Sequence, residues 1–99
     1  MTKLSDIYSR PPPAVRVGSF LQPPSGGTVY LVGKNSDGNV RLVNLCNGIV
    51  LSGSVAPANP MHLSHKEVEA IIGSTNLEGW NLLSIAEAGE DLVELNARD

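Results

Sequence analysis

Short apolar runs, broken by turn-forming pairs, dominate residues 28–55 (TVYLVGKNSDGNVRLVNLCNGIVLSGSV). The breaks fall at Asp37-Gly38 and Asn47-Gly48. Both pairs tolerate positive φ, which makes them strong hairpin signals between β-rich runs. The stretch predicts an antiparallel meander of three strands over residues 28–33, 40–46 and 49–55, with 34–39 (KNSDGN) as the first turn. Residues 14–21 (AVRVGSFL) predict an earlier strand, with Val15, Val17 and Phe20 apolar, Arg16 opposite and a bulge at Gly18. Residues 22–27 (QPPSGG) are loop by composition.

The middle strands are apolar on both faces. Val29, Leu31 and Gly33 point one way, Tyr30 and Val32 the other; Val40, Leu42 and Cys46 likewise oppose Val43 and Leu45. A half-solvated antiparallel sheet should alternate apolar with polar, so both faces need a cover. One helix covers one face. A second copy of the chain, or barrel-like curling, is the expected cover for the other.

Periodicity changes after the loop at residues 56–60 (APANP). Ser64-His-Lys-Glu67 is a capping box, Val68, Ile71 and Ile72 follow at helical spacing, and Gly73 supplies a stop. Residues 78–86 (EGWNLLSIA) read as a strand containing Trp80 and Leu82, or as the start of a second helix. Gly89 in the tail favours a turn and so a terminal strand pair. At the other end, Arg10-Pro11-Pro12-Pro13 predicts an extended polyproline arm over residues 1–13, either a docking segment or a stiff tether.

Length and composition describe one globular domain over residues 1–99: 41% hydrophobic and 17% charged. No run approaches the roughly 20 apolar residues of a membrane helix, and the first six residues are too polar for a signal-peptide core. A lone Cys46 excludes an internal disulfide and suits a reducing compartment, so the expectation is cytoplasmic. Aromatics are few (Tyr8, Phe20, Tyr30, Trp80), which limits buried apolar area and favours self-association. Charge is split. Residues 1–50 carry net +3 and residues 51–99 net −6. Neither half has the clustered Lys and Arg of a duplex-binding face.

Catalytic chemistry finds little support. His62 and His65 are the only histidines and Cys46 the only cysteine, so a zinc site would need carboxylates to complete four ligands, and His62 precedes the helix. Cys46 would need a base and an orienting group to act as a nucleophile, and in a strand it reads as a small core residue. G-x-S-x-G is absent, and Gly48–Gly53 carries no P-loop lysine. No cofactor, metal or enzymatic activity is expected. Binding residues are more suggestive: Arg16, Tyr30, Lys34, Arg41, Asn44 and Asn47 lie on or beside the same sheet. Arginine forks match phosphate, and a ring can stack a base. Asn44 sits between Val43 and Leu45, and if buried it must be hydrogen bonded. Each residue also has a plainer reading as a structural amide or a surface arginine, and Trp80 reads as core.

The order D-I-Y (6–8), V-Y-L-V (29–32), D-G-N-V-R-L-V-N-L-x-N-G (37–48), L-S-x-x-E-V (63–68) and W-N-L-L (80–83) resembles small phage-encoded β-sheet-plus-helix accessory proteins. The resemblance is to the anti-Thoeris type, which sequesters cyclic ADP-ribose signals in oligomers without cleaving them. It implies a non-enzymatic anti-defence protein. In that reading Arg16 and Arg41 would meet phosphate, Tyr30 would stack, and Asn44 and Asn47 would read polar edges.

The chain is therefore expected to be α+β: an antiparallel sheet of four to six strands, one short capped helix, and a second helix or strand pair at the C-terminus. The expected partners are itself, as a homodimer or larger, and a cyclic nucleotide. Two alternatives stand beside sequestration. One is a virion or assembly component such as a capsid decoration or tail adaptor; the other is an inhibitor of a host protein acting through the acidic half.

Overall fold

The computed structural model describes residues 2–9 and 15–97. It is an α+β protein with one antiparallel five-stranded sheet, strand order β1-β5-β2-β3-β4. The elements are β1 (Thr2–Lys3), α1 (Leu4–Ser9), β2 (Phe20–Gln22), β3 (Tyr30–Lys34), β4 (Val40–Asn44), α2 (His65–Ile72), β5 (Asn81–Leu83) and α3 (Ile85–Ala97).

The β3–β4 hairpin forms where its turn residues predict. Lys34 pairs with Val40, the Gly38 N–H donates to the Asn35 carbonyl at 3.0 Å, and the Asn35 N–H donates to the Asn39 carbonyl at 2.8 Å. Gly38 takes φ +88, a value that favours glycine.

The bulge at Gly18 is also present. The Ser19 N–H donates to the Arg16 carbonyl, the Gly18 N–H to the Val32 carbonyl, and the Val32 N–H to the Ser19 carbonyl. Gly18 (φ +96) and Ser19 thus face one residue, the arrangement of a glycine bulge. Regular pairing starts only after it, so the strand expected over 14–21 shortens to Phe20–Gln22.

The expected strand over 49–55 is replaced by two isolated bridges, Val43 with Val50 and Val40 with Val55. Between them four residues, 51–54, lie opposite Arg41 and Leu42. The ladder cannot stay regular across that mismatch. Gly53 sits inside it, under the last turn of α2.

Helix α2 follows its sequence code. Ser64 Oγ accepts from the Glu67 N–H at 3.2 Å, Glu67 Oε1 accepts from the Ser64 N–H at 2.8 Å, and Gly73 ends the helix at φ +79. The C-terminal segment departs from the expected strand pair. Only Asn81–Leu83 is strand, and α3 follows. A second capping box explains it: Ser84 Oγ accepts from the Glu87 N–H and Glu87 Oε1 from the Ser84 N–H. One glycine inside a capped helix of 13 residues is tolerable.

Residues 2–9 are not an extended arm. Thr2 and Lys3 pair with Leu82 and Asn81, and Leu4 and Ile7, one helical turn apart, are buried. Residues 10–14, which hold Pro11, Pro12 and Pro13, lie outside the described residues.

Two cores flank the sheet. The inner one joins Leu21, Val32, Val40 and Leu42 to Leu4 and Ile7 of α1, Val68 and Ile71 of α2, and Val15, Leu63 and Leu77. The outer one joins Val29 and Leu83 to Ala88, with Phe20, Leu45 and Leu92 packed around them. Helix α3 therefore supplies part of the second cover expected from another copy of the chain or from curling.

Candidate functional site

The strand register sorts the candidate residues by face, because directly opposed residues in antiparallel strands share one. On the outer face Leu83, Phe20, Leu31, Val43 and Val50 lie opposite one another in a row across β5, β2, β3, β4 and the bridge strand. Helix α3 caps the Leu83–Phe20 end of that row. At the other end Leu31 and Val43 are half-buried, and Val50 and Ile49 are 48% and 60% exposed.

Arg41 stands on this outer face, opposite Gly33. With no side chain at Gly33, the nearest atom to a Cβ there would be Val43 Cγ2, at 3.5 Å. Arg41 Nε is buried and has no hydrogen-bond acceptor among the described residues. A guanidinium N–H removed from water normally finds a partner. Arg16 belongs to the bulge at the same end of the sheet, since Gly18 and Ser19 oppose Val32, the residue before Gly33. It is exposed; its Nη1 donates to the Val17 carbonyl at 3.3 Å and lies 3.7 Å from where a Gly18 Cβ would be. Lys34 is exposed at the end of β3.

Tyr30 lies on the opposite, inner face. It pairs with Asn44 and Leu21, packs against the inner core, and sets its ring 5.9 Å from that of Trp80. A ligand held by Arg41 on the outer face does not reach it. Trp80 is a core-flanking residue, as its plainer reading had it.

Asn44 and Asn47 act in turns. Asn44 Oδ1 accepts from Thr28 Oγ1 and from the Cys46 N–H, both at 2.8 Å, which supplies the partners a shielded amide needs. Asn47 Oδ1 accepts from the Ile49 N–H at 2.9 Å, and Gly48 takes φ +76 beside it. The sheet thus brings Arg16 and Arg41 to one end and separates them from Tyr30.

The remaining chemistry is sparse. Cys46 is exposed in the turn after β4 rather than in a core strand, because β4 ends at Asn44. His62 is exposed, and His65 Nε2 lies 3.2 Å from Glu69 Oε1. Among the described residues no group of three His, Cys, Asp or Glu could hold a metal ion, and no helix is long and apolar enough to cross a membrane. A shallow cleft of roughly 430 Å³ runs along Lys66, Glu69, Ala70, Gly73, Ser74 and Thr75; it contains none of the candidate residues.

Asp37, at the hairpin tip, has its carboxyl held below the ordinary carboxylate range. The Asn39 backbone N–H is the main cause, with the Asn39 side chain and the positive charge of Arg41 adding to it.

Compared with protein-family models, curated proteins and solved structures, the chain matches none.

Proposed function

We propose that this chain is a non-enzymatic binding protein that holds an anionic, partly apolar partner on the bare half of its outer sheet face. The observation that carries this reading is Arg41, whose buried Nε lacks an acceptor beside the apolar row of Leu31, Val43 and Val50. A guanidinium there offers a fork to a carboxylate or phosphate, and the row offers a surface for the apolar part.

The partner could be a protein, which is the assembly-component reading. The exposure of Ile49 and Val50 favours it, because clustered apolar side chains at a sheet edge mark contact surfaces. The sequestration reading uses the same face. A nucleotide-like immune signal would set its phosphate on Arg41 and Arg16 and its base against Leu31 and Val43. That version assigns binding to two of the five residues picked from sequence and leaves Tyr30, Asn44 and Asn47 to structure.

A thermal-shift panel of cyclic and linear nucleotides, including ADP-ribose isomers, tests the sequestration version. A ligand at 100 times its dissociation constant adds about 2.7 kcal/mol, which raises Tm by several degrees in a domain of this size. Arg41→Ala should abolish the shift while leaving the fold intact. A flat panel from folded protein leaves the assembly version as the reading to pursue.

A further inference from the structure

We infer that the anionic partner is a second copy of this chain, with α3 of each protomer laid over the bare β3–β4 half of the other's outer face. The inference rests on the reading of that face given above and names its occupant.

The outer face is a step. One half carries α3 as a ridge, and the other half is the floor of Leu31, Val43 and Val50. A step of this kind is self-complementary under a twofold axis, which places each ridge on the opposing floor and makes every contact twice.

The ridge has the chemistry to match. Ala88 and Leu92 of α3 face the sheet, whereas Ile85, Ala86, Gly89 and Glu90 are exposed. Ile85 with Gly89 and Ala86 with Glu90 are i,i+4 pairs, so the four residues form one patch. A solvent-facing helix surface would be polar. Here three of the four residues are apolar or small, Ile85 (77% exposed), Ala86 and Gly89, with Glu90 the one charge among them.

Gly89 has no explanation inside the protomer. A Cβ added there would meet nothing within 4 Å, its φ is not in the left-handed region, and glycine is unfavourable in a helix interior. Close approach of a second backbone or side chain accounts for it.

Charge points the same way. Helix α3 contains no base, and its Glu90 is exposed. The floor carries Arg41, with Arg16 at the same end of the sheet. Glu90 of one protomer, which is exposed, can pair with the partly exposed Arg41 guanidinium of the other.

Sedimentation velocity on the full chain, from low to high micromolar concentration, tests the inference. The wild type should dimerise reversibly. Gly89→Leu has room in the protomer, so it should keep its helical circular dichroism and weaken the dimer by at least about tenfold. Arg41→Glu and Glu90→Arg should each weaken it, and the double variant should recover most of the loss. A monomeric wild type at the highest concentration overturns the inference, as does a dimer indifferent to Gly89→Leu and Arg41→Glu. The nucleotide panel reads independently of this result: a monomer whose Tm rises with an anion removes self-docking and keeps the binding reading.

Discussion

Gly53 lies directly beneath Ala70: a Cβ on the glycine would sit 2.5 Å from the Ala70 carbonyl oxygen and 2.7 Å from that of Ile71. Both atoms are backbone in the last turn of α2, and neither can swing aside as a side chain would. Gly53→Ala must therefore push α2 away from the sheet or distort residues 49–55. The expected cost is about 1–3 kcal/mol, in the range of overpacked cores, read as a fall in the denaturation midpoint. An unchanged midpoint would show that the helix and the bridge strand are less tightly apposed.

The two capping boxes can be compared directly. Ser64→Ala and Ser84→Ala each remove the hydroxyl that accepts from the third helical N–H. Each should cost about 1 kcal/mol. Ser84→Ala should also fray the start of α3, seen as faster amide exchange at Ala88, whose N–H donates to the Ser84 carbonyl.

Asn44 offers a test of structure against ligand binding. Its Oδ1 serves both Thr28 and Cys46, so Asn44→Ala leaves two donors short of an acceptor. A loss of about 1 kcal/mol is expected, with or without any ligand present, because water can replace the acceptor at the exposed Cys46 N–H. Arg41→Ala, by contrast, removes a side chain whose Nε has no partner, and stability should change little. If Asn44→Ala proved neutral while Arg41→Ala unfolded the chain, the assignment of roles would be reversed.

The hairpin tip should respond to acid. Asp37 Oδ1 accepts from the Asn39 N–H at 2.9 Å, and the folded-state carboxyl titrates below its ordinary value. A lowered carboxylate adds stability above its unfolded value and loses it as pH falls through the folded one. Exchange protection at Asn39 should therefore hold at neutral pH and drop only below the ordinary carboxylate range. Asp37→Asn should remove that pH dependence, which proton-exchange NMR would follow.

Arg41 and Tyr30 show why the candidate site was only partly legible. In sequence both sit on strands of one hairpin, and both look available. Register places Tyr30 opposite Asn44 and Arg41 opposite Gly33, on different faces. When strands are apolar on both sides, pattern alone does not say which face meets the larger core. The open row of Leu31, Val43 and Val50 was hidden for the same reason, since each of the three reads as ordinary core. For α3 a signal did exist: Ser84-x-x-Glu87 has the same form as the box at Ser64. Gly89 and the strand-like Trp80–Leu83 run point the other way.

What the chain determines by itself is local. Asp37-Gly38, Gly18 and the Ser64–Glu67 box specify their turn, bulge and helix start through φ preferences and hydrogen bonds within a few residues. Those choices suffice for an antiparallel hairpin, a capped helix and an α+β class. Tertiary structure decided the rest. Docking of α1 and α2 chose the inner face, and Tyr30 packs partly buried against it. The close approach of Gly53 to the Ala70 carbonyl accompanies the break in the last strand. Helix α3 packed over the Leu83–Phe20 end of the outer face, while Arg41 lies opposite Gly33 further along it. The physical reason is that burial is a property of pairs of elements, so a two-faced apolar strand acquires an inside and an outside only when its neighbours have packed.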